Sequence, residues 1–168
     1  MKVGKRILCI CFCMILLFAV EGCSYEGPYP FRQDADKIEK VEICEYDYTT
    51  GTRTLIMQLS EDKAQEMIKE LATMKCEKYG PGDHPRNYGL LMICITYTDT
   101  EIEMIGLSNI GFVDTKGREG LTNYFFDDKS LYDLIVKYVD PALLPDVSKE
   151  YPSWYWDSTT NAYEPAIS

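Results

Sequence analysis

Apolar and polar residues alternate over residues 37–47, as in the run Val41, Glu42 and Ile43. A period of two is typical of a β-strand with one face on a core. Turn residues follow at 49–52, and a return strand is predicted over residues 53–59. One face of that return strand would carry Leu55, Met57 and Leu59. The pattern therefore predicts an antiparallel hairpin.

After Ser60 the apolar residues recur at helical spacing. Serine suits a helix N-cap, and the acidic pair Glu61 and Asp62 suits the positive end of a helix dipole. The apolar stripe predicted for this helix is Ala64, Met67, Ile68, Leu71 and Met74. The first unit is thus predicted as strand, strand, helix.

The second half begins with a predicted loop over residues 75–89, which is dense in Gly and Pro. Strands are predicted at 90–98, 101–107, 110–113 and 121–126. A second helix is then capped by Asp127 and stopped at Asp140-Pro141. Its predicted buried stripe is Leu131, Leu134, Ile135, Tyr138 and Val139.

These elements predict an α+β fold, an antiparallel sheet of about six strands with two helices packed on one face. The order strand-strand-helix-four strands-helix resembles the TATA-binding-protein-like arrangement with an added first strand. That resemblance is one of topology and implies no functional residues.

The first residues have the pattern of an export signal. Lys2, Lys5 and Arg6 give a positive start, and an uncharged run over residues 7–20 is shorter than the roughly 20 residues of a membrane-spanning helix. The ending Val20-Glu21-Gly22-Cys23 resembles the lipobox of bacterial lipoproteins. By that resemblance Cys23 becomes the mature N-terminus and carries the lipid. The alternatives are an uncleaved signal anchor or cleavage at another position.

The chain divides into four predicted parts. Residues 1–22 are the signal peptide, 23–36 a tether, 37–145 the α+β domain, and 146–168 an aromatic-rich C-terminal segment. This organisation resembles the small lipoproteins of Gram-positive bacteria. The resemblance implies a cell-envelope protein that is anchored in the cell membrane by lipid on Cys23 and faces the extracellular side.

The charge balance disfavours one class of partner. The whole chain has a net charge of -10; the signal peptide holds three basic residues and one acidic residue, so the remaining 14 basic and 26 acidic residues give -12. A phosphate backbone repels such a surface, and no nucleic-acid partner is expected. Contact with the membrane is expected through the lipid alone.

Cysteine and histidine are too few for typical metal or thiol chemistry. Outside the signal and Cys23, the chain keeps only Cys44, Cys76 and Cys94, and it has one histidine, His84. Neither a zinc pattern nor a Cys-His pair is indicated, so no catalytic, metal or cofactor residue is predicted. At least one buried free thiol is expected, with a single disulfide as the alternative.

Three groups of residues are candidates for binding. The loop before the second unit holds His84, Arg86 and Tyr88, and its simplest interpretation is a stiff loop with a solvated histidine. Asp99, Glu101 and Glu103 alternate, and could hold calcium or act as solvated edge charges. The third group is the aromatic cluster Trp154, Tyr155 and Trp156.

The aromatic cluster has two interpretations. Its rings either pack back against the sheet or its rim, or offer a surface to a glycan or peptide. The function that the sequence favours is a non-enzymatic ligand- or protein-binding module with an envelope protein or glycan as its partner. The alternatives are a small carboxylate-dependent hydrolase and a structural or inhibitory accessory of another envelope protein.

Overall fold

The computed structural model describes residues 26–47, 50–78, 90–107, 109–113, 119–121, 124–149, 154–160 and 162–165. Cys23, and the loop candidates His84, Arg86 and Tyr88, lie outside these ranges. Predictions about those residues therefore stay predictions.

The described chain contains two α-helices and eleven β-strands. In chain order they are β1 Glu26–Pro28, β2 Ile38–Asp47, β3 Thr52–Gln58, α1 Glu61–Thr73, β4 Lys75–Lys78, β5 Leu91–Tyr97, β6 Ile102–Gly106, β7 Asn109–Val113, β8 Glu119–Leu121, β9 Tyr124–Phe126, α2 Asp128–Val136, β10 Trp154–Asp157 and β11 Ala162–Pro165. Short 3₁₀ turns lie at Ala35–Lys37, Pro141–Leu143 and Val147–Lys149.

The main sheet has six antiparallel strands in the order β3-β2-β5-β6-β7-β8. A second sheet joins β1, β4 and β9, and β10 and β11 form a separate hairpin. The predicted α+β class, with its antiparallel sheet and two helices, is confirmed. The strand predicted over 121–126 is instead divided between β8 and β9, which belong to different sheets.

The core lies between the main sheet and the two helices. The central strand β5 is buried on both faces along its whole length, as its unbroken apolar pattern predicts. Both helices place their apolar stripes in one buried cluster with one face of the sheet, including Met67 and Leu71 of α1 and Leu131 and Ile135 of α2. The opposite face carries a smaller buried cluster made of Cys44, Tyr46, Met92, Cys94 and Met104.

A β-bulge between β2 and β3 reverses part of the predicted face assignment. Ile43 pairs with Met57 but Cys44 pairs with Leu55, so Ile56 is an extra residue in β3. The bulge turns Leu55 away from the helices and leaves it 54% exposed, whereas Ile56 packs against the main core. The prediction that Leu55 shares the buried face of Met57 is wrong for this reason.

Two of the three strands of the second sheet lie in segments that were predicted to be irregular. Residues 75–78 of the predicted loop form β4, and residues 26–28 of the predicted tether form β1. β4 pairs with β1 on one side and with β9 on the other. Immediately after β1, Tyr29 is buried and its ring contacts the rings of Phe31 and Phe126. The described fold therefore includes residues 26–28, which the sequence pattern assigns to the tether.

Within the described residues, the C-terminal hairpin of β10 and β11 contacts α2. The ring of Tyr163 in β11 meets the ring of Tyr132 edge-on, with centroids 6.4 Å apart. Lys129 of α2 adds an ion pair of 3.3 Å with Glu164. Trp156 packs edge-on against Tyr163 at 5.2 Å but stays 42% exposed. The side chain of Trp154 lies outside the described residues, so the prediction that Trp154 or Trp156 packs against the sheet or its rim stays a prediction.

Candidate functional site: a groove between α1 and β2

A groove of about 630 Å³ runs between α1 and the first residues of β2. The segment that links β3 to α1 closes one end, and the 3₁₀ turn Ala35–Lys37 forms part of a wall. The apolar lining residues are Ala35, Ile38, Val41, Leu59, Ala64 and Ile68. The polar lining residues are Asp36, Glu39, Lys40, Gln58, Glu61, Gln65 and Lys69.

The strand that borders the groove has a free edge there. β3 pairs with β2 only over Glu42–Asp47, and the backbone N–H of Leu59 then donates to the carbonyl of Val41 at 3.0 Å. Residues 38–40 have β5 on their other side. Among the strands that the structure describes, none covers these residues on the groove side. The groove therefore combines an apolar floor with an open backbone edge.

The charges around the groove are mainly negative. Asp36, Glu39 and Glu61 are all exposed to solvent. Lys40 is engaged in a 2.9 Å ion pair with Glu42, which leaves Lys69 as the other cation of the lining. The rim thus offers more negative than positive charge to a ligand.

The wall of the groove is positioned by a buried carboxylate. The side chain of Glu103 is fully buried on β6, on the helix side of the sheet. It accepts hydrogen bonds from the hydroxyls of Tyr29 and Tyr97, the latter at 2.5 Å, and from the backbone N–H of Arg32 at 3.2 Å. We call Tyr29, Arg32, Tyr97 and Glu103 the Glu103 cluster.

Burial is the largest influence on the pKa values of this cluster. Loss of hydration raises the pKa of Glu103, and the two tyrosine donors and the Arg32 N–H oppose that rise. The pKa of Tyr29 and of Tyr97 is also raised, first by burial and then by the neighbouring carboxylate. All three donors bond to the two carboxylate oxygens of Glu103. The cluster therefore holds the structure together and does not offer an open reactive group.

Asp99 and Glu101, which alternate with Glu103 along the chain, contact the same N-terminal segment. Arg32 forms a 2.6 Å ion pair with Glu101. The side-chain amide of Gln33 donates to both Asp99 and Glu101 at 2.9 Å. No set of three metal-ligating side chains comes together in the described ranges. The calcium hypothesis therefore has no support, and Glu103 is not a solvated edge charge.

Of the aromatic candidates in the tail, only Trp156 has a described side chain, and it does not line the groove. Trp154 and Tyr155 lie in β10, of which only the backbone is described, and Trp156 is on the hairpin beside Tyr163. Sequence reasoning missed the groove because it forms between segments that are distant along the chain. The burial of Glu103 could not be read from the sequence either, because an acid between two apolar residues is the ordinary pattern of a strand with one solvated face.

The three thiols of the domain are buried and unpaired. Cys44, Cys76 and Cys94 are free, which agrees with the expected buried thiol. Cys44 and Cys94 lie on neighbouring strands, and a hydrogen bond from the Cys94 thiol lowers the pKa of Cys44. Burial raises the pKa of Cys76.

We expect the folded protein to resist thiol reagents. A chain of residues 24–168 should incorporate maleimide at Cys44, Cys76 and Cys94 only after denaturation, because the reagent needs an accessible thiolate. Mass spectrometry of the labelled chain checks this. An Ala72→Cys variant, on the exposed side of α1, is the control and should label rapidly in the native state. Rapid native labelling of the parent chain would contradict the burial of these thiols.

Comparison of the chain with protein-family models, with curated proteins and with solved structures finds no match. Within the described residues, no helix is long and apolar enough to cross a membrane. What the groove does is therefore inferred from its own residues.

Proposed function

We propose that this protein is a lipid-anchored cell-envelope protein, held outside the membrane through Cys23, that acts as a non-enzymatic protein-binding module. The observation that carries the proposal is the groove beside α1, in which an apolar floor adjoins an open strand edge. Concave apolar surfaces with a few polar groups are the usual form of a binding site. The lipobox-like ending at Cys23 supports the anchored location.

The chemistry of the groove favours binding over hydrolysis. A general acid or base needs a positioned carboxylate in an environment that tunes its pKa. The three acids of the groove are exposed, and Glu103, the one buried acid among the described residues, does not line the groove and is occupied by its donors. No histidine or cysteine is among the described lining residues.

The lining also favours a protein over a glycan as the ligand. Glycan sites commonly use flat aromatic faces, and the described lining of this groove has none. Aliphatic side chains and an exposed backbone edge suit a polypeptide better, because they offer pockets for side chains and partners for main-chain groups.

Affinity capture of an envelope partner tests the proposal. The mature chain should retain a partner from its own solubilised cell envelope, identified by mass spectrometry. Gln65→Trp places a bulky ring at the exposed rim of the groove, and we expect it to abolish capture. Ala72→Trp adds the same ring on an exposed position of α1 that does not line the groove, and should leave capture unchanged. Equal capture by all three proteins would contradict the groove as the binding surface.

A further inference from the structure

We infer that the groove binds an extended peptide segment, rich in basic and apolar residues, which adds as a strand to the open edge of β2. This inference rests on the proposed binding function and specifies its ligand. Three features of the groove carry it: the edge of residues 38–40 that faces away from β5, the apolar floor, and the acidic rim.

The backbone of β2 offers main-chain hydrogen-bonding groups to a peptide. Ile38 and Lys40 pair with Tyr97 and Thr96 of β5, and the register shifts at Glu39 between them. β3 pairs with β2 only as far as Glu42. A strand edge that is open on one side can form main-chain hydrogen bonds with an added peptide. Since a strand rises about 3.3 Å per residue, the open edge of about 10 Å would pair with roughly three residues of that peptide.

The floor of the groove offers an apolar surface to the side chains of a peptide. Val41, Leu59 and Ile68 line it and belong to the buried core, with the smaller Ala64 beside them. In an added strand, alternate side chains point to the same face. Every second residue of the peptide would therefore face this floor, and an apolar residue at those positions would remove apolar area from water.

The charge of the rim favours a basic peptide. Asp36 and Glu39 flank the β2 side of the groove, and Glu61 lies at the start of α1 on the other side. Lys40, the basic lining residue on β2, is already paired with Glu42. The rim is thus complementary to a peptide whose remaining residues are basic. A second copy of this chain is a poor occupant, because its net charge is strongly negative.

The inference is tested by titrating the mature chain with acetyl-Lys-Val-Lys-Val-Lys-amide and with the same peptide carrying Glu in place of Lys. Calorimetry should show the basic peptide binding at least about tenfold more tightly. Amide resonances of Glu39, Lys40 and the facing residues of α1 should shift on binding. Equal affinity for the two peptides, or shifts confined to other parts of the chain, would overturn the inference.

Two N-methylated forms of the basic peptide test for strand addition itself. Methylation of alternate backbone nitrogens in one register blocks the edge that faces β2, and methylation in the other register blocks the edge that faces solvent. We expect one form to lose about tenfold or more in affinity and the other to bind like the parent peptide. Two forms that both bind like the parent would show that no strand is added.

A matched pair of charge variants links the binding to the rim. Glu61→Lys should weaken the basic peptide several-fold, whereas Glu66→Lys changes the net charge equally at an exposed position of α1 outside the groove lining and should have little effect. Equal weakening by both would show a general charge effect and overturn the site. If Gln65→Trp abolishes capture of an envelope partner but these peptides do not bind, the proposed function stands and the strand-addition inference fails.

Discussion

Replacing Glu103 by alanine should lower the free energy of unfolding by about 2–4 kcal/mol, because it leaves the buried Tyr29 and Tyr97 hydroxyls and the Arg32 N–H without their acceptor and opens a cavity. The segment of residues 29–33 should also loosen from β6. Denaturant unfolding measures the first effect. Cleavage by trypsin after Arg32 measures the second, and it should be much faster in the variant.

Glu101→Ala is the matched control for this substitution. Glu101 precedes β6 and pairs with Arg32, but this ion pair is partly solvated. Its loss should cost about 1 kcal/mol, because the Arg32 and Gln33 groups that it leaves behind are not fully buried and can reach water. Equal destabilisation by the two variants, or a Glu103→Ala protein with unchanged unfolding and trypsin resistance, would contradict the locking role of the Glu103 cluster.

The Glu103 cluster also gives a pH dependence of known sign. Because burial raises the folded-state pKa of Glu103, the folded protein binds more protons than the unfolded chain at a pH between the two values. The contribution of Glu103 to stability is therefore present below the ordinary pKa of glutamate, near about 4.3, and falls as the pH rises through the raised value. Tyr29→Phe removes a donor to the carboxylate, so it should destabilise the protein more at neutral pH than at pH values near 4.

Cys23→Ala should move the protein from the membrane fraction to the soluble fraction and abolish incorporation of radioactive palmitate. Cys23 is the proposed site of the lipid, and two acyl chains provide stable attachment where one is marginal. Fractionation and labelling of cells that express the variant measure both effects. Ser24→Ala, at the neighbouring position, is the control and should stay labelled and membrane-bound. A Cys23→Ala protein that is still labelled and membrane-bound would contradict the lipobox interpretation.

The local elements of the fold could be predicted from the sequence because their signals are local. β2, β5 and α1 each show a clear period or an unbroken apolar run, and the predicted stripe of α1 is the one that enters the core. The position of Leu55 could not be predicted, because one extra residue in β3 reverses the faces and an alternating pattern does not show a bulge.

The candidate site depends on long-range contacts that the sequence pattern does not contain. β1 and β4 are separated by nearly the whole first unit, and each is too short and too polar to show a strand period. Glu103 and Tyr29 are 74 residues apart. The groove forms because β3 ends opposite Glu42, so the first residues of β2 have no described strand beside them on that side. This is a property of the pairing register and not of either strand alone.

The position of the Glu103 cluster has a mechanical consequence. If the chain is anchored at Cys23, two residues lie between the anchor and Glu26 and span at most about 11 Å, so a pulling force reaches the fold through β1. The three-residue ladder of β1 with β4 would bear that force first, and the bonds of Tyr29 and Arg32 to β6 would bear it next. The groove wall at Ala35–Lys37 follows both of these attachments along the chain. The Glu103 cluster would therefore bear a force on the anchor before that force reached the groove, and the groove would keep its shape.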